Sequence, residues 1–142
     1  MHDIECFDSD PFMDRDKCVQ RLLDEYRTHK KLIVAVDFDD TVFDFHKANR
    51  RYDRVLNLLR RCQALNFYIM LFTGTHCDQY PTQIAFLESL GITVTCVNQN
   101  PIPLPFGNHG KPYFNILLDD RAGLGQAYVV LSSVVTEIEK EN

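Results

Sequence analysis

Four short apolar runs alternate with longer amphipathic segments along this chain of 142 residues, and that alternation constrains the fold more than any other feature. The apolar runs are residues 32–37, 67–72, 92–97 and 114–119. The segments with apolar residues at helical spacing are residues 15–30, 48–62, 80–90 and 124–138. Strands that alternate with helices predict an α/β fold, with a three-layer Rossmann-like parallel sheet and helices on both faces.

The ends of the segments and the chain length indicate one domain over residues 1–142, with residues 1–14 as an irregular lead-in. Asp14 is placed to cap the first predicted helix, and Gly91 is placed to end the third. The last segment has a Val-rich middle that also suits a strand, although its overall spacing favours a helix.

Composition and charge exclude several classes of protein. Hydrophobic residues make up 45% of the chain and charged residues 25%, which is typical of globular proteins. No apolar run approaches the ~20 residues of a membrane helix, and the acidic start lacks the basic flank of a signal peptide, so we expect a cytoplasmic protein without a membrane partner. The formal charge of −5 does not support a nucleic-acid partner, although a local basic patch remains open. Five widely spaced cysteines indicate reduced thiols.

Polar residues that could take part in catalysis or ligand binding lie at the ends of the predicted strands. In open parallel sheets, ligands bind beyond the carboxyl ends of the strands. The residues at these positions are Asp37, Asp39, Asp40 and Thr41 after the first strand, Thr73, Gly74 and Thr75 after the second, and Asp119 and Asp120 at the end of the fourth. Lys111 lies shortly before the fourth strand.

If the first and fourth strands are neighbours, up to five carboxylates share one crevice. Like charges at such distances either raise one another's pKa or hold a cation between them. Ligand sets made only of oxygen favour a hard ion, so Mg²⁺ is the expected cofactor. A lysine, threonine hydroxyls and a glycine turn suit the oxygens of a phosphoryl group, which predicts phosphoryl chemistry.

Each of these signals also has an ordinary structural explanation. An aspartate after a strand is often a turn residue or a helix cap, and a lone lysine is usually a solvated surface residue. The functional interpretation rests on the order of the signals and on their common position at strand ends.

In their order, these residues resemble the haloacid dehalogenase superfamily, specifically its small phosphatases without a cap domain. The first motif of that superfamily matches Asp37-Phe38-Asp39-Asp40-Thr41-Val42, and the others match Thr73, Lys111 and Asp119-Asp120. The resemblance implies a Mg²⁺-dependent phosphatase that hydrolyses phosphate monoesters through an aspartyl-phosphate. Asp37 would be the nucleophile, and Asp39 would be the general acid and then the general base.

The resemblance also implies roles for the remaining residues. Thr73 would bind the phosphoryl oxygens, and Lys111 would hold both Asp37 and the phosphate. The expected metal ligands are Asp37, the main-chain carbonyl of Asp39 and Asp119, with Asp120 either a further ligand or a hydrogen-bond partner of one. Apart from the resemblance, the strand-end residues and the basic segment predict substrate contacts from Asp40, Thr41, Gly74, Thr75 and Arg50.

Many members of that superfamily insert a cap domain, for which the loops 38–46 and 98–110 are too short. We therefore expect an open site that either takes a large phosphorylated substrate or is covered by a second copy in a homo-oligomer. A small metabolite, a nucleotide and a polymer end all remain open as substrates. The basic residues of segment 47–61 either steer a polyanion or form a solvated helix face.

Two other functions compete with the phosphatase. A catalytically weak member of the same superfamily would act as a phosphate-sensing or partner-binding module. A response-regulator receiver domain also combines Asp, Thr and Lys in a parallel sheet. In receivers the acidic pair precedes the phosphorylated Asp and Lys comes last, whereas here Lys111 precedes Asp119-Asp120.

Overall fold

The computed structural model describes residues 10, 12–104 and 110–142, and within them the four predicted strands form one parallel sheet. The strands are β1 (Ile33–Val36), β2 (Tyr68–Leu71), β3 (Cys96–Val97) and β4 (Ile116–Leu118). The α-helices are α1 (Arg15–His29), α2 (Asp53–Ala64), α3 (Tyr80–Ser89) and α4 (Leu124–Glu141), and a 3₁₀ turn, Cys77–Gln79, precedes α3.

The sheet has the strand order β3-β2-β1-β4, with every neighbouring pair parallel. The chain therefore steps outward from β1 to β3 and then returns past β1 to place β4 on its other side. This is the α/β architecture that the alternation of segments predicts, and it is consistent with a three-layer Rossmann-like fold.

The central strand β1 is buried along its whole length, and side chains alternate between the two faces of the sheet. Val34 and Val36 belong to the larger apolar cluster, which also contains the buried apolar residues of α1, α2, α3 and α4. Ile33 and Ala35 belong to a smaller cluster on the opposite face, together with Met70. Burial on both faces explains why β1 is a continuous apolar run in the sequence.

Among the described residues, those that pack against the smaller cluster come from the strands and from the connection between β3 and β4. Phe114 packs against this cluster, and its ring lies 5.7 Å from that of Phe72. Ile102 and Leu104 line a cavity of about 320 Å³ against this face. Residues 105–109 of the proline-bearing connection lie outside the described residues.

The helix ends follow the capping signals for α1 and depart from the prediction for α2. The Asp14 carboxylate accepts the backbone N–H of Lys17, as predicted for the N-cap of α1. The helix predicted over 48–62 begins only at Asp53, because Lys47 and Asn49 adopt left-handed conformations with φ of 52° and 58°. Residues 44–52 are therefore a loop.

The strand predicted over 92–97 is also shorter than expected. Only Cys96 and Val97 belong to β3, because the hydroxyl of Thr95 accepts the backbone N–H of Ile69 in place of a main-chain carbonyl. A side chain that replaces a ladder partner in this way ends the regular strand pairing. The Val-rich segment near the C-terminus forms helix α4, as its spacing predicts.

None of the helices in the described part of the chain is both long and apolar enough to cross a membrane. Of the predicted lead-in, residues 10 and 12–14 precede α1 without regular helix or strand, and the rest of it lies outside the described residues.

Candidate acidic active site

The register of the sheet brings the three predicted strand ends to one edge. The N–H of Asp37 donates to the carbonyl of Leu118 over 2.9 Å, so Asp37 lies beside the end of β4. The N–H of Phe72 donates to the carbonyl of Val36 over 2.8 Å, which places Thr73 just beyond the same level on β2. The predicted grouping of Asp37, Thr73 and Asp119 at one sheet edge therefore agrees with the register.

Three carboxylates form the centre of this site. Oxygen atoms of Asp37, Asp119 and Asp120 all lie within 4.8 Å of one another, and we call these residues the acidic trio. Asp37 and Asp119 are half-buried and Asp120 is exposed, so the trio opens to solvent on one side. Within the described part of the chain, none of the three forms an ion pair with a lysine, arginine or histidine.

The hydroxyl of Thr41 links the two halves of the trio. It lies 3.3 Å from a carboxylate oxygen of Asp37 and 3.3 Å from one of Asp120, and it accepts the N–H of Asp120 over 3.0 Å. The Thr41 side chain is fully buried. Thr41 therefore positions two carboxylates, which is a different role from the substrate contact that was predicted for it.

The crowding of the trio has an electrostatic cost. Burial and the neighbouring carboxylates of Asp120 and Asp119 raise the pKa of Asp37 from its ordinary value of 3.8 to about 7. At neutral pH, the protein without a cation therefore holds this carboxyl partly protonated. A cation between the three carboxylates would remove that repulsion and return Asp37 to its ionised form.

Asp39 follows two residues after Asp37 in a tight turn, in which the carbonyl of Phe38 accepts the N–H groups of residues 41–43. Burial and the charges of Asp40 and Asp120 raise the pKa of Asp39 above its ordinary value, and His46 partly opposes the increase. A carboxyl with a raised pKa is suited to carry a proton, which is the role that the resemblance implies. Among the described residues, no hydrogen bond joins the Asp39 side chain to the acidic trio, and the charge of Asp120 acts on Asp39 through space.

Among the described residues at this edge, Asp40 is the carboxylate that has partners on both oxygens. Nδ1 of His46 lies 2.6 Å from Oδ2, and the hydroxyl of Tyr52 donates to Oδ1 over 3.3 Å. Asp40 itself adopts a left-handed conformation with φ of 59°. The Asp40 side chain therefore fixes the loop 44–52 to the first motif, and both of its oxygens are occupied.

Thr73 is held in place by Asn98, which follows β3. The N–H of Thr73 donates to the Asn98 side chain over 2.9 Å, and the Asn98 amide donates to the carbonyl of Thr73 over 2.8 Å. The hydroxyls of Thr73 and Thr75 lie 3.1 Å apart, and Gln83 donates to that of Thr75. The two threonine hydroxyls thus belong to one hydrogen-bonded cluster at the end of β2, and Gly74 between them is exposed.

Lys111 and Arg50 are exposed, and the structure does not bring them into contact with the acidic trio. Among the described residues, Lys111 forms neither a hydrogen bond nor an ion pair with Asp37, the contact that the resemblance implies. Arg50 lies in the loop 44–52, where its charge acts on Tyr52 and partly opposes the increase in the pKa of Tyr52 caused mainly by burial.

The sequence alone did not predict roles for Asn98, Tyr52 and His46 in this site. Asn98 was detectable, because it directly follows the third strand, as the other site residues follow theirs. Tyr52 and His46 carried no such signal: Tyr52 lies where the sequence predicted a helix, and the contact of His46 with Asp40 depends on how the predicted loop folds back.

A second set of metal-ligating side chains, formed by His76, Cys77 and Asp78, consists of three consecutive exposed residues. Nδ1 of His76 accepts the N–H of Asp78 over 3.2 Å, so this histidine caps the 3₁₀ turn. These contacts describe a local turn, and the acidic trio is the group that brings ligands together from separate strands.

Comparison with known proteins supports the fold. No protein-family model matches the chain, and no curated protein matches it. A solved structure of a conserved protein from Bacteroides thetaiotaomicron is similar, with a TM-score of 0.58 and 16% sequence identity. The similarity covers 79% of this chain and 93% of that one, and at this identity it concerns the fold alone.

Proposed function

We propose that this protein is a Mg²⁺-dependent phosphatase that hydrolyses phosphate monoesters through an aspartyl-phosphate on Asp37. The observation that carries the proposal is the acidic trio, in which carboxylate oxygens from two neighbouring strand ends lie within 4.8 Å of one another. Electrostatic repulsion makes such a group of carboxylates unfavourable without a cation, and the group lies where parallel sheets bind ligands.

The trio fits a divalent cation. Its donors are all carboxylate oxygens, which suits a hard ion such as Mg²⁺, and one side of the group is exposed for water and substrate. Asp37, Asp119 and Asp120 would hold the ion. When bound, Mg²⁺ would supply positive charge that lowers the pKa of Asp37 and offsets the charge of the phosphoryl oxygens.

In the first half of the proposed reaction, a carboxylate oxygen of Asp37 attacks phosphorus, and the ester P–O bond breaks. Asp39 donates its proton to the departing oxygen, so the alcohol leaves neutral. In the second half, Asp39 takes a proton from water, and the resulting hydroxide displaces Asp37 from phosphorus. Inorganic phosphate leaves, and both carboxyl groups return to their starting forms.

Other residues of the site support these steps by position. Thr41 orients Asp37 and Asp120 through its buried hydroxyl, so the attacking carboxylate keeps one direction. Thr73 and Thr75 present hydroxyls at the adjacent strand end, where they can donate to phosphoryl oxygens. Asn98 fixes the backbone of Thr73 on both sides.

A phosphate-release assay with an aryl phosphate tests the proposal. We expect turnover with Mg²⁺, loss of turnover in excess chelator and recovery when Mg²⁺ is restored. Ca²⁺ should inhibit, because its looser coordination misplaces the attacking oxygen. Full activity in excess chelator would contradict the metal requirement, and no release from a panel of phosphate monoesters would contradict the phosphatase.

A catalytically weak phosphate-binding module is the second candidate. Lys111 favours it, because this exposed lysine does not contact Asp37 in the described part of the chain. Such a module would bind inorganic phosphate in the presence of Mg²⁺ without turning over esters, so calorimetry with phosphate separates it from the enzyme.

A further inference from the structure

The loop 44–52 exposes a set of side chains that neither the core nor the proposed chemistry uses. Phe45 is 56% exposed, and its ring meets that of His46 edge-on with 5.1 Å between centroids. The neighbouring ring of Phe43 packs against Phe38 and Phe86. Phe45 is therefore the aromatic side chain that this loop presents to solvent.

The same loop carries positive charge beside the acidic site. Lys47 and Arg50 are exposed, as is Arg54 just after the loop, and within the described part of the chain these three form no ion pair. Arg51 does pair with Asp53, over 2.9 Å. A group of free cations is notable in a chain with a formal charge of −5.

Contacts through Asp40 hold this loop at the site. His46 and Tyr52 bind the two carboxylate oxygens of Asp40, and Asp40 directly follows Asp39. Within the loop, the N–H of Lys47 donates to the carbonyl of Asp44 over 3.2 Å, and that of Ala48 donates to the Asp44 carboxylate over 3.1 Å. Phe45 and the cations thus belong to a loop that is anchored next to the proposed general acid.

We propose that the loop 44–52 recognises a nucleotide, so that the substrate is the phosphomonoester of a nucleoside that carries a second phosphate. The inference rests on the proposed function, since it names the substrate class of the same site. A base stacks on the exposed face of Phe45, and Arg50 and Lys47 bind the phosphate that is not transferred. Stacking on an aromatic ring and charge pairing with the backbone are the two interactions by which proteins hold nucleotides without reading their sequence.

The test compares two substrates in the full-length protein with Mg²⁺: a 5′-phosphorylated dinucleotide and glycerol phosphate. Because one stacked base contributes about 1–3 kcal/mol, the dinucleotide should have a kcat/KM roughly ten times higher or more. Phe45→Ala and Arg50→Ala should each lower that ratio by about tenfold through KM, and added salt should weaken the contribution of Arg50. Phe12→Ala and Arg27→Ala, which alter an aromatic and a cation outside the loop, should leave the ratio unchanged.

A nucleoside 3′,5′-bisphosphate, used as a third substrate, distinguishes a free nucleotide from the end of a nucleic-acid strand as the natural substrate. Equal preference for the bisphosphate and the dinucleotide indicates a free nucleotide as substrate, and preference for the dinucleotide indicates the end of a strand. A ratio that stays within twofold in both loop variants would overturn the inference while the phosphatase remained. If no ester is turned over, the proposed function fails. Binding of a fluorescent dinucleotide, compared between wild type and Phe45→Ala, then decides the inference alone.

Discussion

Two acidic groups lie side by side at the carboxyl edge of the sheet, and their surroundings are opposite. The acidic trio of Asp37, Asp119 and Asp120 pairs with no cationic side chain among the described residues, and burial together with the neighbouring carboxylates raises the pKa of Asp37 to about 7. Asp40 has His46 on one carboxylate oxygen and Tyr52 on the other. Among the described residues, the acidic trio lacks a positive partner, whereas the Asp40 carboxylate has hydrogen-bond partners from the protein on both oxygens.

Under the proposed function, this difference separates the carboxylates that carry out the chemistry from the one that holds the structure within the same motif. A buried carboxylate that has its donors contributes to the fold, whereas carboxylates that repel one another destabilise it unless a ligand is bound. We therefore expect substitutions in the trio to change activity and metal response. Substitutions around Asp40 should instead change stability by modest amounts.

The largest expected effect is on turnover. Asp37→Asn should lower kcat by at least about a thousandfold, because an amide cannot act as the attacking carboxylate. The fold should persist, since the amide is nearly the same size and removes a repelling charge. Phosphate release and circular dichroism measure the two expectations.

Asp40→Asn is the matched control, because it makes the same chemical change three residues away. It should retain far more activity than Asp37→Asn, since Asp40 holds a loop and neither attacks phosphorus nor transfers a proton. Equal loss in both variants would remove the distinction between the two groups.

The next effect is metal-dependent stability. Mg²⁺ at about one hundred times its dissociation constant should add about 2.7 kcal/mol to the free energy of unfolding. For a domain of this size, that is a rise in Tm of several degrees. The rise should disappear in Asp119→Asn and remain in Asp40→Asn, as measured by thermal melts with and without Mg²⁺. A rise that survives Asp119→Asn would place the ion elsewhere.

A smaller effect follows from the raised pKa of Asp37. Between its ordinary value of 3.8 and about 7, the folded chain binds this proton more tightly than the unfolded chain. The free energy of unfolding of the metal-free protein should therefore fall as pH rises through that window and then level off. Because Asp37 is half-exposed, we expect the fall to be on the order of 1–2 kcal/mol.

Urea unfolding across that window measures the fall, and Asp37→Asn isolates it from the other carboxyl groups. The variant should show a flatter profile, and Mg²⁺ should flatten the profile of the wild type. A stability that instead rose with pH in the wild type alone would contradict the raised pKa of Asp37.

Much of the fold was predictable because its signals are local. The apolar run of β1 and the Asp14 cap of α1 were recognisable from neighbouring residues alone. The start of α2 was not, since left-handed conformations at Lys47 and Asn49 end the helical pattern without a glycine or proline to mark them. The length of β3 depended on a hydroxyl of Thr95, which has no signature in sequence.

The site was predictable where it follows strand ends. Asp37 and Asp119 lie together because parallel neighbours end at one edge, a rule that needs only the strand order. The buried position of Thr41 and the contacts of Asp40 depend on how a turn and a loop fold back, which no spacing rule describes. The position of Lys111 was not predictable from spacing, because Lys111 lies in the irregular proline-bearing connection between β3 and β4.

The smallest expected effect concerns the hydroxyl of Tyr52. Tyr52→Phe keeps the ring and removes one donor to Asp40, at 3.3 Å, while His46 remains on the other oxygen. Because one hydrogen bond contributes about 0.5–1.5 kcal/mol and this one is long, the free energy of unfolding should fall by about 1 kcal/mol or less. Tyr26→Phe is the control, since its ring packs on Phe67 and keeps that contact.

In a double-mutant cycle of Tyr52→Phe with Asp40→Asn, the two losses should be less than additive, because each variant weakens the same hydrogen bond. Additive losses would mean that the Tyr52 hydroxyl contributes through a partner other than Asp40 and that Asp40 owes its position to His46 and the turn.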